Sequence, residues 1–268
     1  MQELLKVENI KQYFFSGGGL LRKGYSIKAV NGVSLSVDQG ETLGLVGESG
    51  CGKSTLGRTI LKLIEPTEGR IFFDGQDITG YSTKQMRPLR KQMQIVFQDP
   101  LDSLNQRHTI GMILEEPFII HKQGSPEQRK QWVLELLDKV ALPASAVSRY
   151  PHEFSGGQRQ RIGIARAIAL KPKLLICDES VSALDVSVQA QILNLLLDLQ
   201  QEMNLAMIFI SHDLSVVKHV SDRVVVMNAG EIVEQGNVKE IYSCPKNDYT
   251  KSLLNAIPIT HPRQRRKL

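Results

Sequence analysis

Residues 41–63, ETLGLVGESGCGKSTLGRTILKL, decide the fold. Short apolar residues suited to a buried strand, Leu43 to Val46, come first. The glycine-rich turn Gly47-Glu48-Ser49-Gly50-Cys51-Gly52 follows, then Lys53-Ser54-Thr55, and Leu56, Ile60, Leu63 and Ile64 recur at helical spacing. Strand, turn and helix around G-x-x-x-x-G-K-[ST] is the setting of a phosphate cradle. The glycines let the backbone bend so that consecutive N–H groups point at one anion. The helix N-terminus adds about half a positive charge at the same place. Lys53 can reach β- and γ-phosphates, and Ser54 can offer its hydroxyl to Mg²⁺. The plain alternative is a glycine-rich turn that merely starts a helix, but both flanking elements are readable. The stretch predicts a bound nucleoside triphosphate, with Gly47 and Ser49 to Thr55 as its contacts.

A chain of 268 residues holds one large α/β domain, with room for a subdomain. Its composition is ordinary for a globular protein, and no apolar run approaches the ~18–20 residues that span a bilayer. The first six residues, Met1 to Lys6, lack the basic and apolar segments of a signal peptide. Cys51, Cys177 and Cys244 lie far apart, which argues against a disulfide framework or metal cluster and for a reducing compartment. The net charge is +5, but Arg263, Arg265, Arg266 and Lys267 supply most of it. That basic tail, 261–268, reads as solvated terminal chain rather than a nucleic-acid site.

Ahead of the cradle, residues 4–8 start a strand that runs to about Lys11-Gln12, and Tyr13-Phe14-Phe15 leads into a glycine-rich insert. Strand signals resume at Ile27–Val30 and at Val33–Val37, where Val33, Leu35 and Val37 alternate. The aromatic cluster has two readings: packing at a sheet edge, or one ring stacked on a purine. Beyond the cradle, 70–74 and 93–97 read as strands, and Asp74-Gly75 as a turn. From about 104 to 150 the pattern turns helical. Ser125-Pro126-Glu127-Gln128 there offers a capping serine, a first-turn proline and a glutamine three residues after the cap. This stretch interrupts an otherwise α/β chain and is expected to form a separate lobe. A helix from Ser155, a buried strand Lys173–Cys177, a helix from about Val186, a strand Leu205–Ile210, a hairpin around Asn228-Ala229-Gly230 and a short tail helix complete the chain.

Several strands therefore end in polar residues: the cradle itself, Asp178-Glu179, His212 and Gln98. In an open parallel sheet, ligands sit at the carboxyl ends of the strands. Asp178 suits a carboxylate on the Mg²⁺ side, and Glu179 a general base for the attacking water. His212 suits a donor where charge grows on the γ-phosphate, and Gln98 an orienting contact to Mg²⁺ or water. For each carboxylate alone, a helix cap or solvated loop is the plain reading. Ser155-Gly156-Gly157-Gln158 has the chemistry of a second cradle, a hydroxyl and open N–H groups at a helix start. Such a cradle is useful if it closes over a nucleotide held by another copy; an ordinary helix cap is the alternative.

GESGCGKS (47–54), Gln98, FSGGQ (154–158), LLICDE (174–179), SALD (182–185) and His212 occur in the order of ATP-binding-cassette ATPases. The chain resembles that family along nearly its whole length. The resemblance implies a P-loop NTPase fold of the α/β class, with an antiparallel β subdomain, a RecA-like parallel sheet core and an inserted all-helical subdomain. It implies one ATPase domain, 1–260, with a catalytic core at 1–99 and 156–240, a helical lobe at 100–155 and a C-terminal extension at 241–260. It implies ATP and Mg²⁺ as cofactors, with Ser54, Gln98 and Asp178 on the metal side. Catalysis would fall to Glu179, His212 and Gln98. Ser155, Gly156, Gly157 and Gln158 would be donated across a dimer, Asp185 would lie in the dimer-coupling loop, and Tyr13 would stack on adenine with Phe14 as its rival.

VFQDPLDSLNQR (96–107), CDESVSALDVSVQAQILNLLLDLQ (177–200), SHDLSVVKHVSDRV (211–224) and YTKSLLNAIP (249–258) resemble the ATPase subunits of oligopeptide, dipeptide and nickel importers, most of all the second of the two. The partners so implied are another ATPase subunit, preferably a different chain, two permeases and, indirectly, a solute-binding protein, at the cytoplasmic face of a bacterial membrane. Nucleic acid is not among them; the competing expectation is a soluble cassette of nucleic-acid metabolism. The chain departs from the importer pattern at Phe154, Ser180 and Gln106, and at Asn247-Asp248. Cys244 stands alone, so no iron–sulfur centre is expected.

Overall fold

A computed structural model describes residues 2–16, 25–99 and 103–256. The glycine-rich insert at 17–19, the basic residues at 22 and 23, and the basic tail at 261–268 lie outside the described residues. Two long strands, β1 (Glu3–Ser16) and β2 (Tyr25–Asp38), pair antiparallel, and both exceed the short strands read from the sequence. Bulges explain the difference. Asn9 and Gly32 take φ of 50° and 75°, breaking the period-2 pattern without breaking the ladder. With β4 (Glu68–Phe73) and β5 (Gln76–Asp77), they form a four-stranded sheet in the order β2-β1-β4-β5. Asp74 and Gly75, both at positive φ, make the tight turn between the last two strands.

The second sheet has six strands in the order β10-β9-β3-β8-β7-β6. Its members are β3 (Thr42–Val46), β6 (Met93–Val96), β7 (Leu174–Asp178), β8 (Ala206–Ser211), β9 (Arg223–Asn228) and β10 (Glu231–Asn237). All pairs are parallel except the β9–β10 hairpin. Side chains alternate across this sheet into two separate cores. Leu43, Leu45, Ile176, Ile208, Ile210, Val225 and Met227 join β1, β2 and β4 on one face. Val46, Leu175, Cys177, Met207, Phe209, Val224 and Val226 join the long helices on the other. Both faces are covered, and so β3, β7 and β8 are buried along their whole length.

Helix α1 (Lys53–Ile60) lies in the first core, between the sheets, and buries Leu56 and Ile60 there. It is shorter than its sequence pattern. Lys62 adopts a φ of 52° just past its end, which leaves Leu63 44% exposed. Short α2 (Thr83–Leu89), which the sequence reading did not anticipate, carries a capping box of Ser82 and Gln85. The lobe contains α3 (Ile110–Ile120), α4 (Pro126–Lys139) and 3-10 turns at Ala144–Ser148 and Pro151–Glu153. Ser125 and Gln128 cap α4 reciprocally, as their spacing predicts. The apolar residues of the lobe, among them Ile113, Leu114 and Phe118 of α3 and Leu137 of α4, belong to one continuous cluster with α5 (Gly156–Ile168), α6 (Val186–Met203) and the sheet. Next in the chain come α7 (Leu214–Val220) and α8 (Val238–Ser243). The tail helix α9 spans Asp248–Asn255.

Candidate nucleotide site

The cradle is built by β3 running into a turn that only glycine can make. Gly47 and Gly52 have φ of +151° and +107°, and a Cβ at either would sit 2.2 Å from the Met227 carbonyl or 2.0 Å from the Ala29 carbonyl. Gly52 is the N-cap of α1, so the turn delivers the helix N-terminus to the cradle. Lys53 is 3% exposed, and its Nζ donates to the carbonyls of Gly47 and Glu48, both at 2.8 Å. The ammonium is thus stored on its own loop, with Cys51 Sγ 3.8 Å away. Ser49 and Gly50 are exposed, while Thr55 is half-buried and gives its carbonyl to Thr59 Oγ1.

Parallel register sets the rest. Val96 pairs with Cys177, Asp178 with Ile210, and Val46 with Ser211, so the strand ends lie along one edge. Ser54 Oγ donates to Asp178 Oδ1 at 2.6 Å, joining cradle and β7. Glu179 Oε2 accepts from Gln98 Nε2 at 3.2 Å and lies 3.5 Å from His212 Nδ1. Three residues from three strand ends therefore meet at one carboxylate oxygen. Glu179 is itself held in the left-handed region, φ 47°, a conformation that costs a non-glycine residue about 1–2 kcal/mol. Its N–H donates to the Ile210 carbonyl, and its carbonyl accepts from Ser182 N–H and Oγ. Neighbours that pin an unfavourable backbone are typical of functional positions.

Burial pushes the Asp178 carboxyl above its usual value near 3.8, and Glu179 adds to the effect, while Ser54, Arg58 and Lys53 oppose it. An acid raised in this way is destabilising when ionised. The cost is absent below the unfolded value, grows as pH rises through the folded value, and is complete above it. Asp178→Asn is therefore expected to melt at or above the wild-type temperature at neutral pH without nucleotide, the gap closing in acid. Calorimetry against pH checks this, and a variant several degrees less stable at neutral pH would contradict it.

Asp185 caps α6, its Oδ1 accepting from Val188 N–H and Ser187 Oγ at 2.9 and 2.8 Å. The Val188 bond first, and the Ser187 bond next, hold its carboxyl below the usual range. Ser155 and Gln158 form a capping box at the start of α5, so the cap reading of this stretch holds for the single chain. A Cβ on Gly157 would meet Val188 Cγ1 at 2.3 Å, and one on Gly156 would lie 3.6 Å from Leu184. The second cradle thus adjoins the Asp185 loop, and its Ser155, Gly156 and Gln158 are exposed. Ser180 is buried beside the Cys177 thiol.

Tyr13 pairs with Lys28 on β2, one residue from the Ala29 carbonyl that faces Gly52. Its hydroxyl donates to Asn31 Oδ1 at 2.6 Å, and Lys28 Nζ lies 5.5 Å from the ring centroid. Asn31 Nδ2 reaches Glu231 Oε1 at 2.6 Å, Asn31 N–H reaches the Gly230 carbonyl, and Gly230 N–H reaches the Cys51 carbonyl. Sequence reasoning missed Asn31 and Glu231. Asn31-Gly32 inside a strand was the signal for the first, and nothing local marks the second. It also missed Arg58, 3.9 Å from Asp178, and Tyr249, whose hydroxyl accepts from Glu48 N–H.

Residues 30–182 match the family described as ABC transporter. This chain belongs to that family. Over 98% of its length the cassette is 54% identical to the oligopeptide transport ATP-binding protein AppF of Bacillus subtilis, covering 80% of that protein. It is 50% identical to the oligopeptide transport ATP-binding protein OppF of Escherichia coli, over 97% of this chain and 79% of that one. Among solved structures it resembles a dimeric ATP-binding cassette, MJ0796, in a post-hydrolysis state bound to ADP and Pi. The TM-score is 0.78 at 28% identity, over 88% of this chain and 99% of that one. CbiO1 of Clostridium perfringens, part of an ABC transporter complex, matches with a TM-score of 0.78 at 29% identity, over 91% and 92% of the two chains. The cassette is an ATP-binding ATPase with the fold that its motifs imply.

Proposed function

We propose that this cassette powers import of peptides, hydrolysing ATP as a peripheral subunit on the cytoplasmic side of a bacterial membrane transporter. The observation that carries the reading is near full-length identity of about half to proteins named for oligopeptide and dipeptide transport. Those relatives give no support to the competing expectation of a cassette in nucleic-acid metabolism. Among the described residues, no helix is long and apolar enough to cross a membrane, so separate membrane subunits would form the pathway.

The site residues take the following roles. Backbone N–H groups of Gly47 and Ser49 to Thr55 hold the phosphates, and Lys53 turns from its loop carbonyls toward them. The hydroxyl of Ser54, the carboxylate of Asp178 and the amide of Gln98 supply hard oxygen donors that fit Mg²⁺, in or beyond its first shell. That ion would neutralise charge on the phosphate oxygens. Glu179 takes the proton of the attacking water, with Gln98 and His212 fixing its oxygen, and His212 then faces the γ-phosphate. Tyr13 stacks on adenine; its tether to Asn31 favours it over Phe14, which is 41% exposed. Ser155 to Gln158 cover the nucleotide of a second cassette in a dimer, and the exposure of Ser155, Gly156 and Gln158 supports this. The lobe at 100–155 passes the motion to the permeases. A cavity of about 330 Å³ lined by Leu61, Leu63, Met86, Phe97, Pro117 and Ile120, between core and lobe, offers them a seat.

The test is reconstitution. The cassette, co-expressed with the permeases and second cassette from its own locus, is expected to co-purify with them and to hydrolyse ATP faster when peptide-loaded binding protein is added. ATPase activity indifferent to permeases and peptide would overturn the transport reading. Salt-dependent DNA or RNA binding that survived removal of residues 261–268 would favour the rival.

A further inference from the structure

We propose that Tyr249 is a positioning residue for the phosphate loop, through which the C-terminal extension sets nucleotide affinity. The YTKSLLNAIP stretch has no role in the chemistry above. Yet the Tyr249 hydroxyl accepts a hydrogen bond from Glu48 N–H at 3.1 Å, across 201 residues of chain. The Gly47–Glu48 peptide is the entry to the loop, and a Cβ on Gly47 would lie 2.2 Å from the Met227 carbonyl. That peptide is held from both sides. Tyr249 holds its N–H, which belongs to Glu48, and Lys53 Nζ holds its carbonyl, which belongs to Gly47, at 2.8 Å. When Lys53 turns to phosphates, the carbonyl side is released, and the tyrosine bond is what still fixes the orientation of the peptide.

The tyrosine is placed for this by a chain of bonds leading back to the sheet. Asn247 caps α9, its Oδ1 accepting from Tyr249 N–H at 2.8 Å. The Glu234 carboxylate on β10 accepts from Lys246 N–H and Asn247 N–H at 2.8 and 3.1 Å, and Asn247 Nδ2 reaches the Val233 carbonyl. At its other end, the same β9–β10 hairpin touches the loop through Gly230 N–H and the Cys51 carbonyl. One hairpin therefore grips the phosphate loop twice, at Cys51 directly and at Glu48 through α9. Burial raises the phenol above its usual value, so the hydroxyl stays protonated at working pH.

The inference rests on ATP binding by residues 47–55, and wild-type affinity tests that reading separately. In the full chain, titration calorimetry with ATP and with ADP is compared for wild type, Tyr249→Phe and Asn247→Ala. Phenylalanine keeps the ring packing and removes only the hydroxyl. Tyr249→Phe is expected to weaken both nucleotides by the same factor, about three- to tenfold, which is one neutral hydrogen bond converted to affinity. KM for ATP rises with little change in kcat, and the melting temperature without nucleotide falls by much less than the lost affinity corresponds to, because Lys53 still holds the peptide there. Asn247→Ala is expected to shift affinity the same way, by less. Unchanged nucleotide affinity in Tyr249→Phe overturns the proposal. So does a loss that appears in kcat alone, or one matched by a lower melting temperature of the empty chain.

Discussion

Glu179→Gln is expected to bind ATP as tightly as wild type and to hydrolyse it about 10²–10⁴-fold more slowly, the usual contribution of a positioned general base. Glutamine keeps the size of the side chain and can still bond to Gln98 and His212, so the architecture around Oε2 survives. What disappears is the basic oxygen. The left-handed backbone at Glu179 is held by Ile210 and Ser182 and does not depend on the carboxylate. Folding should therefore be untouched. With hydrolysis blocked and binding intact, ATP is expected to trap the dimer, visible as a shift to twice the mass by light scattering. Phosphate release by the assembled transporter is the measurement. A variant turning over at the wild-type rate would remove Glu179 from its assigned role.

Gly52→Ala is expected to abolish measurable ATP binding, more than 100-fold in affinity, and to lower the melting temperature. Two costs combine. A φ of +107° is strained for any residue with a Cβ, about 1–2 kcal/mol at left-handed positions. The new methyl would also lie 2.0 Å from the carbonyl of Ala29, a backbone atom that cannot rotate away. Relief requires the loop to part from β2, next to the strand position that pairs with Tyr13. Gly50→Ala is the control. It has φ +81° but nothing within 4 Å of its Cβ, so its stability cost is expected to be the strain alone, about 1–2 kcal/mol. Equal melting temperatures and equal ATP affinities for the wild type and Gly52→Ala would show that the loop tolerates what its geometry forbids.

Much of the site was legible because its signals are local. The phosphate loop declares itself in nine consecutive residues, since the turn needs glycine and the anion needs N–H groups and a lysine. Asp178, Glu179, His212 and Gln98 could be placed at one sheet edge because apolar runs end there and parallel sheets put ligands at carboxyl ends. The cap of α4 by Ser125 and Gln128 followed from spacing alone. Strand lengths in the antiparallel sheet were misjudged because bulges at Asn9 and Gly32 disturb the alternation on which the reading depends. Helix α1 was read too long because Leu63 keeps the helical period after Lys62 has left it.

By itself, the sequence determined a nucleotide-binding α/β cassette and named the groups proposed to carry its chemistry. Periodicity, turn residues and the order of motifs are properties of neighbours in the chain. Only the tertiary structure decided how those groups meet. It brought Gln98 and His212 to a single oxygen of Glu179, and buried Asp178 against the Ser54 hydroxyl. It turned the second cradle toward α6, and tied Tyr249 to a loop 201 residues away. Such contacts depend on packing between elements distant in sequence, and no local pattern encodes them. The phosphate loop of residues 47–55 could be recognised from its own residues, but how firmly it is held could not.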